Sequence, residues 1–191
     1  MTVRNTTFIL AVAIAFAVRG ADLVYDVAEG ETNTVTVAIN ADTANVDYII
    51  KRGEGVLQFT NNVGVSRNFA GILVEKGRVE LSMNADCFRP TNVVIKTGAE
   101  VWNTGGKSVF YGTQSFDMEE GSFLYLGGVG DSVDGFRGYG VISNKTADIT
   151  CTVNLSKGPY RFGGRIVGNS IFECAASSGS AFAYTHWPSP T

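Results

Sequence analysis

A short phrase that returns at a near-constant interval is the feature that most constrains what this chain can fold into. A few β-forming residues, a charged or polar pair, a glycine and more β-formers recur four times. The copies are Arg52-Gly53-Glu54-Gly55-Val56-Leu57-Gln58-Phe59, Ile72-Leu73-Val74-Glu75-Lys76-Gly77-Arg78-Val79-Glu80-Leu81, Val93-Val94-Ile95-Lys96-Thr97-Gly98-Ala99-Glu100-Val101-Trp102 and Phe116-Asp117-Met118-Glu119-Glu120-Gly121-Ser122-Phe123-Leu124-Tyr125-Leu126. The anchoring glycines Gly55, Gly77, Gly98 and Gly121 lie 22, 21 and 23 positions apart. Self-similarity at such a period marks a solenoid, whose repeats cannot bury their apolar faces alone and stack on one another. A repeat of about 22 residues makes one coil of a β-helix, with short strands on its sides and glycines where the backbone bends at positive φ. Period-2 alternation then sends Val79, Leu81 and Phe123 into a narrow core and Arg78 and Glu80 outward.

Composition supports the same reading. Of 191 residues, 23 are glycine and only 4 proline, and 45% are hydrophobic against 17% charged, which suits one core of many short strands joined by glycine turns. The predicted fold is therefore all-β: a single-stranded, right-handed parallel β-helix of coils of about 22 residues, preceded by an N-terminal signal helix.

Residues 1–20 have the shape of a signal peptide. Arg4 precedes the uncharged run Phe8–Val18, which is too short to span a bilayer comfortably. Cleavage after Ala17 or after Gly20 both satisfy the small-residue rule. Residues 21–50 read as a cap segment with a first strand at Thr34–Ile39, residues 51–176 as the solenoid, and residues 177–191 as a polar tail with Pro188 and Pro190. Within the solenoid the phrase loosens after Gly138 into further alternating strands around Val141, Thr150 and Arg161. The expected location is secreted or cell-surface, with no transmembrane segment in the mature chain.

Without residues 1–20 the chain holds 13 Lys and Arg against 18 Asp and Glu. Nothing concentrates the basic residues that phosphate neutralisation requires, so nucleic acid and anionic membranes are excluded as partners. Cys87, Cys151 and Cys174 are too few and scattered for a zinc site. Cys151 and Cys174 are 23 residues apart, close to one coil, and are either a disulfide or two buried thiols.

The phrase resembles the autotransporter-associated β-strand repeat of bacterial passenger-like surface proteins. The resemblance rests on Gly53-Glu54-Gly55-Val56-Leu57-Gln58-Phe59, on Phe69-Ala70-Gly71 through Gly77-Arg78-Val79-Glu80-Leu81, and on Tyr160-Arg161-Phe162-Gly163-Gly164-Arg165-Ile166-Val167-Gly168-Asn169. It covers about residues 51–174 and implies a rigid, elongated stalk that serves adhesion or, less often, catalysis. The chain has no room after Asn169 for the translocating barrel of larger members, which leaves a short secreted protein or a fragment of a longer one.

Chemistry-bearing motifs are sparse. The single histidine, His186, sits in the tail without a nucleophile motif, and no phosphate-cradling glycine loop is present. Gly127-Gly128-Val129-Gly130-Asp131 approaches a calcium turn but occurs once and has its aspartate one position early, so Asp131 and Asp134 read as loop residues and no metal or cofactor is expected. Glycoside cleavage needs two carboxylates across one groove. The candidates are Asp117, Glu119 and Glu120 on one coil and Glu75, Glu80 and Glu100 on others, although outward charges on a solenoid ordinarily serve solvation and edge protection. For binding, Trp102, Tyr111, Tyr125, Phe136 and Tyr139 form the candidate aromatic stripe, able to stack on sugar rings or enter a partner, against the alternative that they fill the core. Asn144 and Asn154 head Asn-x-Ser/Thr sequences that matter only in a eukaryotic secretory host. The reading is a structural or adhesive solenoid without turnover, with glycans or cell-surface proteins as partners and end-to-end self-association through terminal coils. The alternative is a carbohydrate-active β-helix enzyme, a polysaccharide lyase or hydrolase.

Overall fold

A computed structural model describes residues 21–36, 46–60, 70–82, 90–105, 109–110, 113, 115–127, 132–144, 150–154, 160–168, 171–175 and 182–184. The predicted signal peptide, cleavage site, Cys87, Tyr111, Asp131 and His186 lie outside these residues. Every element described is a strand. In chain order they are β1 (Ala21–Asp26), β2 (Thr32–Val35), β3 (Val46–Arg52), β4 (Val56–Thr60), β5 (Gly71–Val74), β6 (Arg78–Ser82), β7 (Asn92–Ile95), β8 (Glu100–Asn103) and β9 (Ser115–Met118). Then follow β10 (Phe123–Leu126), β11 (Ser132–Val133), β12 (Phe136–Gly138), β13 (Val141–Asn144), β14 (Thr150–Asn154), β15 (Tyr160–Phe162), β16 (Arg165–Gly168), β17 (Ile171–Ala175) and β18 (Phe182–Tyr184).

The strands form three parallel sheets whose order follows the winding of the chain. The first runs β1-β3-β5-β7-β9-β12-β15-β18, the second β2-β4-β6-β8-β10-β13-β16 and the third β11-β14-β17. Each turn of the chain adds one strand to the first sheet and the next to the second, so the molecule is a parallel β-solenoid, as the period predicts. The stack begins at β1, inside the segment read as a cap, and the tail contributes β18.

The alternation seen in the sequence sets the core. β4 and β6 bury every second residue, and register then superposes the inward residues of successive coils. Leu57, Val79, Val101, Leu124 and Ile142 form one fully buried column under the second sheet, and Ile49, Ile72, Val93, Phe116 and Phe136 another under the first. Isolated coils lack these contacts, so stability belongs to the stack.

At the corner before each strand of the second sheet from β4 onward the residue is no larger than serine: the column reads Gly55, Gly77, Ala99, Ser122, Gly140 and Gly164, and the first five carbonyls each accept a backbone hydrogen bond from the next coil. A side-chain carbon at Gly164 would sit against the Gly140 carbonyl oxygen, which explains why the corner stays small. Gly55, an anchor of the sequence period, occupies this corner and is not the residue at positive φ; Gly53 takes that role at 72°. Gly77 combines both roles, whereas Gly98 and Gly121 bend the chain one residue ahead of the corner residues Ala99 and Ser122. Phe123 consequently faces outward, and Leu124 and Leu126 point into the core, the reverse of the predicted phase.

Outside the first sheet, Asp26, Arg52, Glu75, Lys96 and Glu119 alternate in sign from coil to coil. Arg52 pairs with Glu75 at 2.9 Å and Lys96 with Glu119 at 2.6 Å. Such exposed pairs add little energy, but like charges face each other under any one-coil slip of this column. Glu119 accepts hydrogen bonds from Lys96 Nζ and from the Thr97 backbone N–H, which hold its carboxyl below the usual 4.5. A group with a depressed folded pKa contributes stability that is present above its unfolded value and is lost as pH falls through the folded one. A carbon-detected NMR titration is expected to place the Glu119 midpoint below 4.5, and Lys96→Ala to move it back up. An unmoved midpoint in the variant would show that the pair does not form in solution.

Lys51 is the unexpected core residue. It stands in an inward column with Val74 and Ile95, fully buried, and its ammonium donates to the carbonyls of Arg52, Gly53 and Lys76 at 2.6, 2.7 and 3.3 Å. Burial lowers its pKa, opposed by Asp26 and Glu54. The side chain ties together the turns of two successive coils.

Candidate functional site

The outward face of the second sheet gathers the most side-chain chemistry. Register places Arg78, Glu100 and Phe123 in one outward column and Gln58, Glu80, Trp102 and Tyr125 in the next, because odd and even positions of a strand point to opposite faces. Trp102 is the hub. Its Nε1 donates to Glu100 Oε2 at 2.9 Å, the same oxygen accepts from Arg78 Nε at 2.8 Å, and the Arg78 guanidinium lies 4.1 Å from the indole centroid. Tyr125 and Phe123 pack beside the indole, with centroids at 5.1 and 5.9 Å. Arg78, Glu100 and Trp102 close into a ring of contacts that holds the indole in one orientation.

A polar ribbon adjoins this ridge. Glu80 Oε1 receives Ser82 Oγ at 3.2 Å, Thr104 Oγ1 at 3.3 Å and Gln58 Nε2 at a longer 3.4 Å, while the two hydroxyls are 2.9 Å apart. Carboxylate, amide and hydroxyl groups thus lie one strand from an aromatic ridge on a single sheet face.

Of the predicted aromatic stripe, the structure brings together Trp102 and Tyr125. Tyr139 is 68% exposed in the turn between β12 and β13. Phe136 is fully buried between Phe116 and Phe162 and belongs to the core. The sequence reading missed Arg78, Glu100 and Phe123 as parts of the cluster. The available signal was the corner residue: counted from Gly77, Ala99 and Ser122, all three fall at the next position.

The acidic candidates divide between faces. Glu75, Asp117 and Glu119 lie outside the first sheet and Glu80 and Glu100 outside the second. Glu75, Glu100 and Glu119 are each engaged by a cation, and Asp117 faces Arg137 at 3.9 Å. Glu120 is exposed in the turn before β10. Among the described residues no group of His, Cys, Asp and Glu has the arrangement of a metal site, and no helix is long and apolar enough to cross a membrane. Asn144 is buried, which keeps its side chain from modification in the folded chain.

Cys151 and Cys174 do fall on adjacent strands, β14 and β17. Register, however, sets Cys151 opposite Phe172 and Cys174 opposite Val153. Two residues of offset along strands about 4.8 Å apart separate the Cα atoms by roughly 8 Å, beyond the 7 Å or so that a disulfide spans without backbone movement.

No family model, curated protein or solved structure matches this chain.

Proposed function

We propose that this chain is an exported bacterial β-solenoid, at the cell surface or secreted, with a structural and adhesive role: it binds a partner on a rigid face and performs no turnover. The observation that carries the reading is the ordered Trp102–Tyr125 ridge beside the Glu80 ribbon on one outward sheet face. An aromatic ring beside hydrogen-bonding carboxylate, amide and hydroxyl groups suits a polyhydroxylated ligand, so glycans are the first partner class. The repeat phrase and the resemblance it carries supply the surface location, and residues 1–20 the route of export.

The test is a printed array of neutral, acidic and amino glycans probed with the wild-type chain and with Trp102→Ala. Glycan capture by the wild type and a loss of about tenfold or more in the variant, roughly 1.4 kcal/mol or more, is the expected result, with an unchanged circular dichroism spectrum as the check on folding. Capture that ignores Trp102 would sink the assignment of this face. No capture at all would sink the glycan reading.

A further inference from the structure

Among the described residues the two ends of the stack differ in charge, and nothing pairs with the outer edge of either. β1 and β2 are the first strands of their sheets, and among the described residues nothing pairs with their outer edges. Leu23, Tyr25 and Val35 are only half-buried here, although their column partners one coil on, Ile49, Lys51 and Phe59, are fully buried. Among the described residues the core columns therefore have no covering layer at this end. Residues 21–36 contain Asp22, Asp26, Glu29 and Glu31, all exposed, and no lysine or arginine. At the other end, β15 and β16 contain Arg161 and Arg165, both exposed, against one carboxylate, Glu173 of β17. Arg161 and Arg165 make no ion pair with any described residue.

We propose that this open acidic end docks on the basic end of a second copy of the chain, β1 of one adding in parallel to β18 of the next. Register supports the pairing. Arg161 stands opposite Ala183 on β18, and continuing the same columns sets Val24 of the incoming β1 opposite Ala183. Asp22 and Asp26 then flank Val24 on the same outward face, two positions to either side. Arg161 is then two strand spacings and two residues from Asp22 and Asp26, roughly 12 Å between Cα atoms, a range over which about 0.1 M salt weakens the attraction and about 1 M removes it. Docking would cover Leu23 and Tyr25, satisfy a row of backbone edge groups and neutralise charge that each copy carries alone. The two surfaces differ, so the contact is heterologous and does not close on itself. The product is a linear assembly. This inference is independent of what the second sheet binds.

Sedimentation velocity on the full chain tests it, at about 0.1 M salt and at about 1 M, where the screening length falls to about 3 Å. The expected result is mass that grows with protein concentration at low salt and retreats toward the monomer at high salt. Asp22→Arg and Arg161→Asp, both at exposed positions, should each remove assembly alone. Mixed together they should recover growth beyond the dimer, because the two reversed ends complement each other and the two unaltered ends form the original contact, so the variants alternate along the assembly. A monomer at every concentration and salt overturns the proposal. Assembly that persists in both variants, or a mixture that stays monomeric while each variant melts like the wild type, overturns it as well.

Discussion

Replacing Phe136 with alanine is expected to cost about 3–5 kcal/mol of stability, the range for an aromatic side chain removed from a close-packed core. Phe136 is fully buried and stands in the middle of an aromatic column: Phe110 meets Phe116 edge-on at 5.0 Å, Phe116 lies 5.4 Å from Phe136, and Phe136 lies 6.2 Å from Phe162. Phe116, Phe136 and Phe162 belong to successive coils and each touches the next, so the cavity opens between coils and weakens the nearest-neighbour coupling that holds a solenoid together. Urea unfolding should show a lower midpoint, and a split transition would mean that the coils on either side of β12 have become separate units. Phe136→Leu keeps most of the volume and should lose much less. Equal losses for the two variants would mean that ring packing is not what the column supplies.

Gly138→Ala should be comparably damaging for a different reason. Gly138 has φ of 92°, outside the comfortable range of a side-chain-bearing residue, and an added methyl would press on the Met118 carbonyl oxygen of the coil beneath. The backbone conformation alone costs about 1–3 kcal/mol, and the methyl must also displace main chain that is committed to a ladder: the Tyr139 N–H donates to that same Met118 oxygen at 2.9 Å. Gly98→Ala separates the two contributions. Gly98 has φ of 75°, but an added methyl there meets nothing within 4 Å. Its loss should be near 1–2 kcal/mol, and Gly138→Ala should exceed it clearly in the same denaturation experiment. If the two losses match, the close approach of the coils at Gly138 is not realised in solution.

The contrast between these glycines shows how far the sequence could be read. The period from Gly55 to Gly121 and the alternation in strands such as β4 and β6 determined by themselves that the chain winds into parallel coils with Val79 and Leu81 inside, because period-2 patterning permits only one burial face. Trp102 was legible as a candidate for the outward face, next to the inward Val101, whereas Tyr125 shares the parity of Phe123, which the sequence reading placed inside. What the tertiary structure decided was phase. Gly77 and Gly98 look equivalent along the chain, yet Gly77 is a corner and Gly98 precedes one. A shift of one residue turns a strand over, so Phe123 joined the Trp102 cluster instead of the core. The same holds for Phe136, whose place in the aromatic column, and for Lys51, whose charge is met by three carbonyls of two turns, depend on which coil lies above and below. The contacts between coils, such as Lys51 to the Lys76 carbonyl and Phe116 to Phe136, join residues 20 or more positions apart, and local patterning carries no record of them.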